Sequence, residues 1–247
     1  MTSGTADETV DAFHRGRFHL IQPLRGHRSG LDALLLAATV PADATGRLAD
    51  LGAGSGAVAL AALARCPGLS ATLFERDPAS ADRARRTLAM PENAAFAERA
   101  NVVEADVTER RAVPPETFDH GLANPPFNAG DHRPSPDMGK RAAHMVETDL
   151  ADWIAAMRRA ARPGGTLALI ARPSELADIL DAMHGLGAIR VLPVQPRVGE
   201  PAKRIVVTAR KGARAPLALL PPLVLHEGEA FTEEAAAIFA GEASLTA

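Results

Sequence analysis

Tyrosine is missing from this chain, tryptophan and cysteine occur once each, and only three of its 27 basic residues are lysine. The lone cysteine, Cys66, excludes an internal disulfide and suits a reducing compartment. The histidines have no ligand spacing with it, so the sequence argues for no metal. No apolar run approaches the roughly eighteen residues that a membrane-spanning helix needs. The opening residues, MTSGTADETVDAF, lack the basic start and apolar centre of a secretory leader. A formal net charge of -3 excludes a uniformly basic polyanion binder but leaves room for a local basic face. The scarcity of lysine beside abundant alanine is a composition bias without functional content. These absences together predict a cytoplasmic protein with no membrane partner.

What is present is an ordinary globular composition, 47% hydrophobic and 23% charged over 247 residues. The length predicts one domain: an N-terminal extension and lid (1–45), a core (46–212) and a tail (213–247). Strands are expected at 46–54, 70–76, 101–106, 118–124 and 166–171. Helices are expected at 55–66 (capped by Ser55), from Pro78 to about Met90, over 147–161, and from a Ser174 cap to about Leu186. Leu150, Trp153, Ile154 and Met157 form the apolar stripe of the third of these, which RPGG ends. Alternating strands and helices predict an α/β fold, a mostly parallel sheet with helices on both faces. The segments 188–196 and 204–211 have no helix between them, which predicts an antiparallel C-terminal hairpin adding an edge strand. A last helix is expected near 232–240. The stretch 128–146 is a long polar loop.

The first strand runs into DLGAGSG, residues 50–56. Its glycines allow a sharp turn and close ligand approach, and the helix that follows brings positive partial charge. Gly52, Gly54 and Ala57 also satisfy a loose dinucleotide-binding pattern, a rival reading. Glu75, ending the second strand, suits both, since a carboxylate there accepts the two ribose hydroxyls of an adenosine. Asp50 separates them: it would repel a pyrophosphate but suits a ligand carrying an ammonium. S-adenosylmethionine has an ammonium, a sulfonium, a carboxylate and an adenosine, and no phosphate. Asp106, ending the third strand, would accept from the adenine amino group. The alternative is plain structure, with Asp50 capping the turn and Asp106 a solvated strand end.

The fourth strand ends in Asn124-Pro125-Pro126-Phe127. In an open α/β sheet ligands gather at the carboxyl ends of the strands, and the fourth strand should neighbour the first. The Asn124 side-chain oxygen and the Pro125 carbonyl can accept the two N–H bonds of an exocyclic amine such as adenine N6. Those acceptors stabilise the positive charge that grows on nitrogen as it attacks a methyl group. The prolines hold them still, and Phe127 stacks on the planar target. A strand-ending turn with a buried ring is the structural alternative.

DLGAGSG, Glu75, Asp106 and NPPF together resemble the class I, Rossmann-like S-adenosylmethionine-dependent N-methyltransferases, over roughly residues 20–212. That resemblance implies a seven-stranded sheet of order 3-2-1-4-5-7-6 and S-adenosyl-L-methionine as cofactor. LIQPLRGHRSGLDALLLAA (20–38) and the stretch 204–234 are similar to the bacterial tRNA1(Val) adenine-37 N6-methyltransferase group. The tetrapeptide is shared with relatives that methylate guanine N2 or a protein glutamine. Phe127 replaces the commoner Tyr and keeps the ring face.

Basic residues bear on the substrate. From Arg197 to Arg214 there are six Lys/Arg against one acid, while 215–247 carries five Glu and no Lys/Arg. Arg28, Arg133, Lys140, Arg141, Lys203 and Arg204, with Pro126, are the candidate substrate contacts, where cations would position phosphates around a flipped base. Taken singly, each run is an ordinary solvated face. Asp32 is expected to cap a helix or touch a lid rather than act as a base. The expectation is an RNA substrate, tRNA first, for a monomer or homodimer. A protein-glutamine or guanine-N2 methyltransferase, or a non-catalytic RNA-binding protein of the same fold, is the alternative.

Overall fold

The computed structural model describes residues 7–26, 28–126 and 150–245. An antiparallel hairpin of β1 (Glu8–Phe13) and β2 (Phe18–Pro23) opens the chain and leads to helix α1 (Leu31–Ala38). Then β3 (Thr45–Leu51), α2 (Ala57–Arg65), β4 (Gly68–Glu75), α3 (Pro78–Leu88) and β5 (Ala100–Glu104) alternate. They are followed by β6 (Phe118–Ala123), α4 (Leu150–Ala160), β7 (Ala161–Ala171), α5 (Leu176–Ala182), β8 (Leu186–Gln195) and β9 (Arg204–Lys211). The tail adds the two-residue strands β10 (Ala218–Leu219), β11 (Leu223–Val224), β12 (His226–Glu227) and β13 (Ala230–Phe231), then α6 (Glu233–Phe239).

The main sheet has the order β10-β8-β9-β7-β6-β3-β4-β5, with β11 also on β8. Counted along the seven long strands this is the expected 3-2-1-4-5-7-6. β3 pairs in parallel with β4 and β6, and β9 runs antiparallel to both β7 and β8. Alternate residues feed two cores. Leu48 and Leu73 pack with α1 and α2 on one face, while Ala49 and Phe74 pack with Trp153, Ile154 and Met157 of α4 on the other. Helix α2, AVALAALAR, is apolar almost all round because it lies between the sheet and α1.

As that strand order requires, the antiparallel strand β9 lies between β7 and β8. Its run Ile205, Val206, Val207 is buried, as suits a strand paired on both sides, and β10 and β11 cover β8. Three expectations change. Ser55 does not cap α2; the cap is Gly56, with φ of 96°. RPGG does not separate helix from strand, because β7 already starts at Ala161 and the four residues bulge out of register against β6. Ser174 does not cap α5, since Glu175 accepts from the Arg172 N–H at 2.8 Å, and the helix ends by Ala182.

The chain's two ends close on each other. The Leu245 N–H donates to Ala38 O, and the buried Arg65 guanidinium donates to Ala37 O, Val40 O and Ser244 Oγ. At the tip of the first hairpin, His14 and Arg15 hold left-handed φ values of 48° and 55°. The His14 ring is buried against Phe18 and Gly241, where a Cβ would stand 2.7 Å from Nδ1. Burial, helped by Arg65 and Arg17, lowers its pKa from 6.5 to about 4. The unfolded chain takes up this proton near pH 6.5 and the native state only near pH 4. Stability is therefore full above about pH 6.5 and falls as pH drops toward 4. Denaturation midpoints at pH 7.5 and 5 should diverge less in His14→Asn, a residue that tolerates this backbone, than in the parent.

Candidate active site

The carboxyl end of β3 turns at Gly52, and β4 beside it holds that turn. The Gly52 and Ala53 N–H groups both donate to Phe74 O, at 2.8 and 2.9 Å. Glu75, buried at the end of β4, accepts from the Gly54 N–H at 2.7 Å and from the Asp77 N–H at 2.8 Å. Gly52, Gly54 and Gly56 all have positive φ, which glycine alone adopts without cost. At Gly52 space adds a second demand, because a Cβ would sit 2.4 Å from Cη2 of Trp153. Beside Gly54 there is open space.

That space is a cavity of about 260 Å³. Its walls include Gly52, Gly54, Ser55, Glu75, Asp106, Asn124, Pro126 and Trp153. Strand register explains the meeting: Leu51 is level with Ala123, so Asn124 leaves β6 next to the glycine turn. Asn124 is half-buried and makes no hydrogen bond among the described residues. Asp106 accepts from the Thr108 N–H and Oγ1–H and faces Arg76 at 3.4 Å. Burial pushes its pKa up, but these partners outweigh it and hold it below the usual carboxylate range.

Asp50 stands apart from the cavity. It is 1% exposed behind the turn, and its Oδ2 accepts from the Ala59 N–H at 3.0 Å. It thus serves α2 as a cap reaching from the neighbouring strand. Burial raises its pKa to about 7, with Glu75 adding to the rise and the Ala59 N–H opposing it. The other cofactor candidates, Gly52, Gly54, Glu75, Asp106 and Asn124, border the cavity together. Pro126 borders it and Pro125 is buried outside its lining. Phe127, Arg133, Lys140 and Arg141 lie outside the described residues.

Two of the candidate cations are engaged inside the fold. Arg28 donates to Asp11, Thr9 Oγ1 and Pro23 O, bracing the first hairpin. Arg204 pairs with Asp32 at 2.8 Å, joining the start of β9 to the first turn of α1. Lys203 is exposed, and its ammonium has no ion-pair partner among the described residues.

Sequence reasoning missed Gln22, Ser29 and Trp153 as parts of the site. Gln22 donates to Asp11 and accepts from the Ser29 N–H at 2.7 Å, which fixes the strap between β2 and α1 as one wall. The signal was present in FHLIQP, whose alternation Phe18, Leu20, Gln22 places a polar side chain on the buried face. Trp153 sat on a helical apolar stripe, which says nothing of a cavity wall. Its indole Nε1 is buried and meets no acceptor among the described residues.

The raised pKa of Asp50 has a definite sign. The native state keeps this proton up to about pH 7 whereas the unfolded chain releases it near 3.8, so stability falls as pH rises across that window. Asp50→Asn keeps an acceptor for Ala59 and should remove the slope. It should be more stable than the parent at pH 8, by about 2–4 kcal/mol, and close to it at pH 4, as read by urea denaturation.

Comparison with known proteins agrees with this arrangement. A tRNA1(Val) (adenine(37)-N6)-methyltransferase from Aeromonas hydrophila is 31% identical over 204 residues, spanning 79% of this chain and 82% of that one. The protein of the same name from Porphyromonas gingivalis is 29% identical over 207 residues, spanning 80% of each. A crystal structure described as a predicted O-methyltransferase from Agrobacterium tumefaciens superposes with a TM-score of 0.75. It has 38% identity and covers 87% of this chain and 98% of that one. The profile of the methyltransferase small domain matches residues 29–180, from the strap at Ser29 through most of α5. With its glycine turn, its Asn124 and these relatives, the chain belongs to the methyltransferase small domain family.

Proposed function

We propose that the protein is an S-adenosylmethionine-dependent methyltransferase acting on an exocyclic nitrogen, N6 of adenine in RNA, with tRNA the first substrate. The observation that carries this is Asn124, whose amide borders the cavity beside Gly52 and is bonded to nothing else among the described residues. The relatives named as adenine-N6 methyltransferases of tRNA support the choice of substrate. A cytoplasmic place follows from such a substrate. Packing of Phe18, Leu48 and Ile238 into one apolar cluster supports treating extension, core and tail as one domain.

The residues fit this cofactor. Each Glu75 oxygen accepts one backbone N–H and keeps a lone pair for a ribose hydroxyl. Asp106 is held ionised as an acceptor for an adenine amino group. Gly54 leaves room where a side chain would intrude. Bound there, S-adenosylmethionine supplies an activated methyl group. The chain supplies the other half of the reaction. Asn124 Oδ1 and the Pro125 carbonyl orient the two N–H bonds of the target amine and stabilise its growing positive charge. Transfer to a hydroxyl would call instead for a general base. The carboxylates that border the cavity are committed to the adenosine side, and no His or Lys joins them among the described residues.

Labelled S-adenosylmethionine incubated with total RNA from cells lacking the protein should place label in N6-methyladenosine after nucleoside digestion. Label in N2-methylguanosine, in protein or nowhere would refute the assignment. Asn124→Ala should lower kcat at least about 100-fold with cofactor affinity nearly unchanged. Lys203→Glu should raise KM for RNA and reduce its salt dependence by about one unit of slope, with kcat preserved.

A further inference from the structure

We infer that Trp153 recognises the positive charge of the methyl donor, so that the cavity prefers the cationic sulfonium to the neutral thioether left after transfer. This rests on the reading of the cavity as a site for S-adenosylmethionine.

The acids expected to attract a cation are spent elsewhere. Asp50 is behind the turn, bonded to Ala59 and outside the lining. Both Glu75 oxygens accept backbone N–H groups, and Asp106 is held by Thr108 and Arg76. Arg76 and Arg83 also border the cavity, Arg76 against Asp106 and Arg83 against Glu8 of the first hairpin. Glu75, which meets only backbone N–H groups among the described residues, stays charged but is held against the glycine turn.

An aromatic wall remains. Trp153 is 7% exposed and borders the cavity along with Asn124 and Gly52. Gly52 takes the outer edge of its six-membered ring, the edge where aromatic rings carry positive potential. A ring face turned toward the cavity would offer a ligand the electron-rich π system. Because Gly52 and Asn124 stand next to each other, the indole lies where donor and acceptor must meet. A cation against indole is favoured, and tryptophan is the best of the aromatic side chains for it. A neutral sulfur gains only ordinary contact, so the same wall binds substrate and lets product go. The glycine at position 52 is part of the device, since any side chain there would push the ring away.

The chain has one tryptophan, so fluorinated tryptophan fed to a producing strain alters this site alone. Fluorination drains the π system with little change of shape. Affinities for S-adenosylmethionine and S-adenosylhomocysteine would be measured by calorimetry on protein carrying tryptophan and its mono-, di- and trifluoro forms. The donor should weaken stepwise, by roughly 2- to 30-fold across the series, while the product stays constant. Trp153→Phe should fall within the series. A flat series, or equal losses for both ligands, overturns the inference and leaves the cofactor reading intact. Failure of the unfluorinated protein to bind either ligand overturns the cofactor reading itself.

Discussion

The clasp between the end of β4 and the glycine turn of β3 is the contact on which the site depends. Phe74 O receives two N–H groups and the Glu75 carboxylate receives a third, so three consecutive residues of the turn hang on one neighbouring strand. The turn then cannot relax into the cavity, although its glycines have the freedom to do so. Everything nearby is positioned from it. α2 starts at its far side, capped through space by Asp50, and Trp153 packs against its first glycine. Asn124 arrives beside it because parallel pairing of β6 with β3 leaves no other register. A carboxylate that clasps a turn and also borders a cavity has two tasks. Here each oxygen has enough lone pairs for both.

That clasp explains what could be read from the sequence and what could not. The fold was legible because strand and helix periods alternate cleanly, and glycine, Glu75 and NPPF mark strand ends. The meeting of Gly52, Gly54, Glu75, Asp106 and Asn124 at one cavity was legible too, since all five lie at the carboxyl ends of strands or just beyond them. Asp50 was legible only as an acid before a glycine. Which side of the sheet its carboxylate takes depends on α2, and spacing alone does not say. Arg28 and Arg204 looked like free cations for the same reason. Their partners, Asp11 and Asp32, come from other elements, and long-range pairing leaves no local trace. β9 is different: its unbroken RIVVTA run carries the mark of a strand paired on both sides, and it is so paired between β7 and β8.

Residues 1–45 are expected to form an extension and lid, and the hairpin found there is tied closely to the core. Glu8 pairs with Arg83 and Arg86 of α3, and the Asn93 amide bonds the His19 backbone in both directions. Ile21 N–H donates to Thr87 Oγ1. A segment with so many long-range bonds opens only at a cost approaching that of the elements it joins. Gln22 carries this order into the strap, and through Ser29 to the cavity wall. Through Gln22 and Pro23 the hairpin forms part of the cavity wall.

A cationic ligand in this cavity would meet carboxylates already engaged by the fold, and that has a physical rationale. An uncompensated carboxylate beside a sulfonium would hold the donor through Coulomb attraction that disappears when the methyl leaves. It would also stabilise the ground state more than the transition state, in which positive charge moves from sulfur toward nitrogen, and so slow the step. Backbone N–H groups hold the Glu75 carboxylate at the turn without removing its charge. In the proposed mechanism Asn124 offers an acceptor at the nitrogen, where the charge would arrive. On that reading the polarity of the site grades along the path of the methyl group, from aromatic at the donor to amide at the acceptor, and such a gradient favours transfer over mere retention.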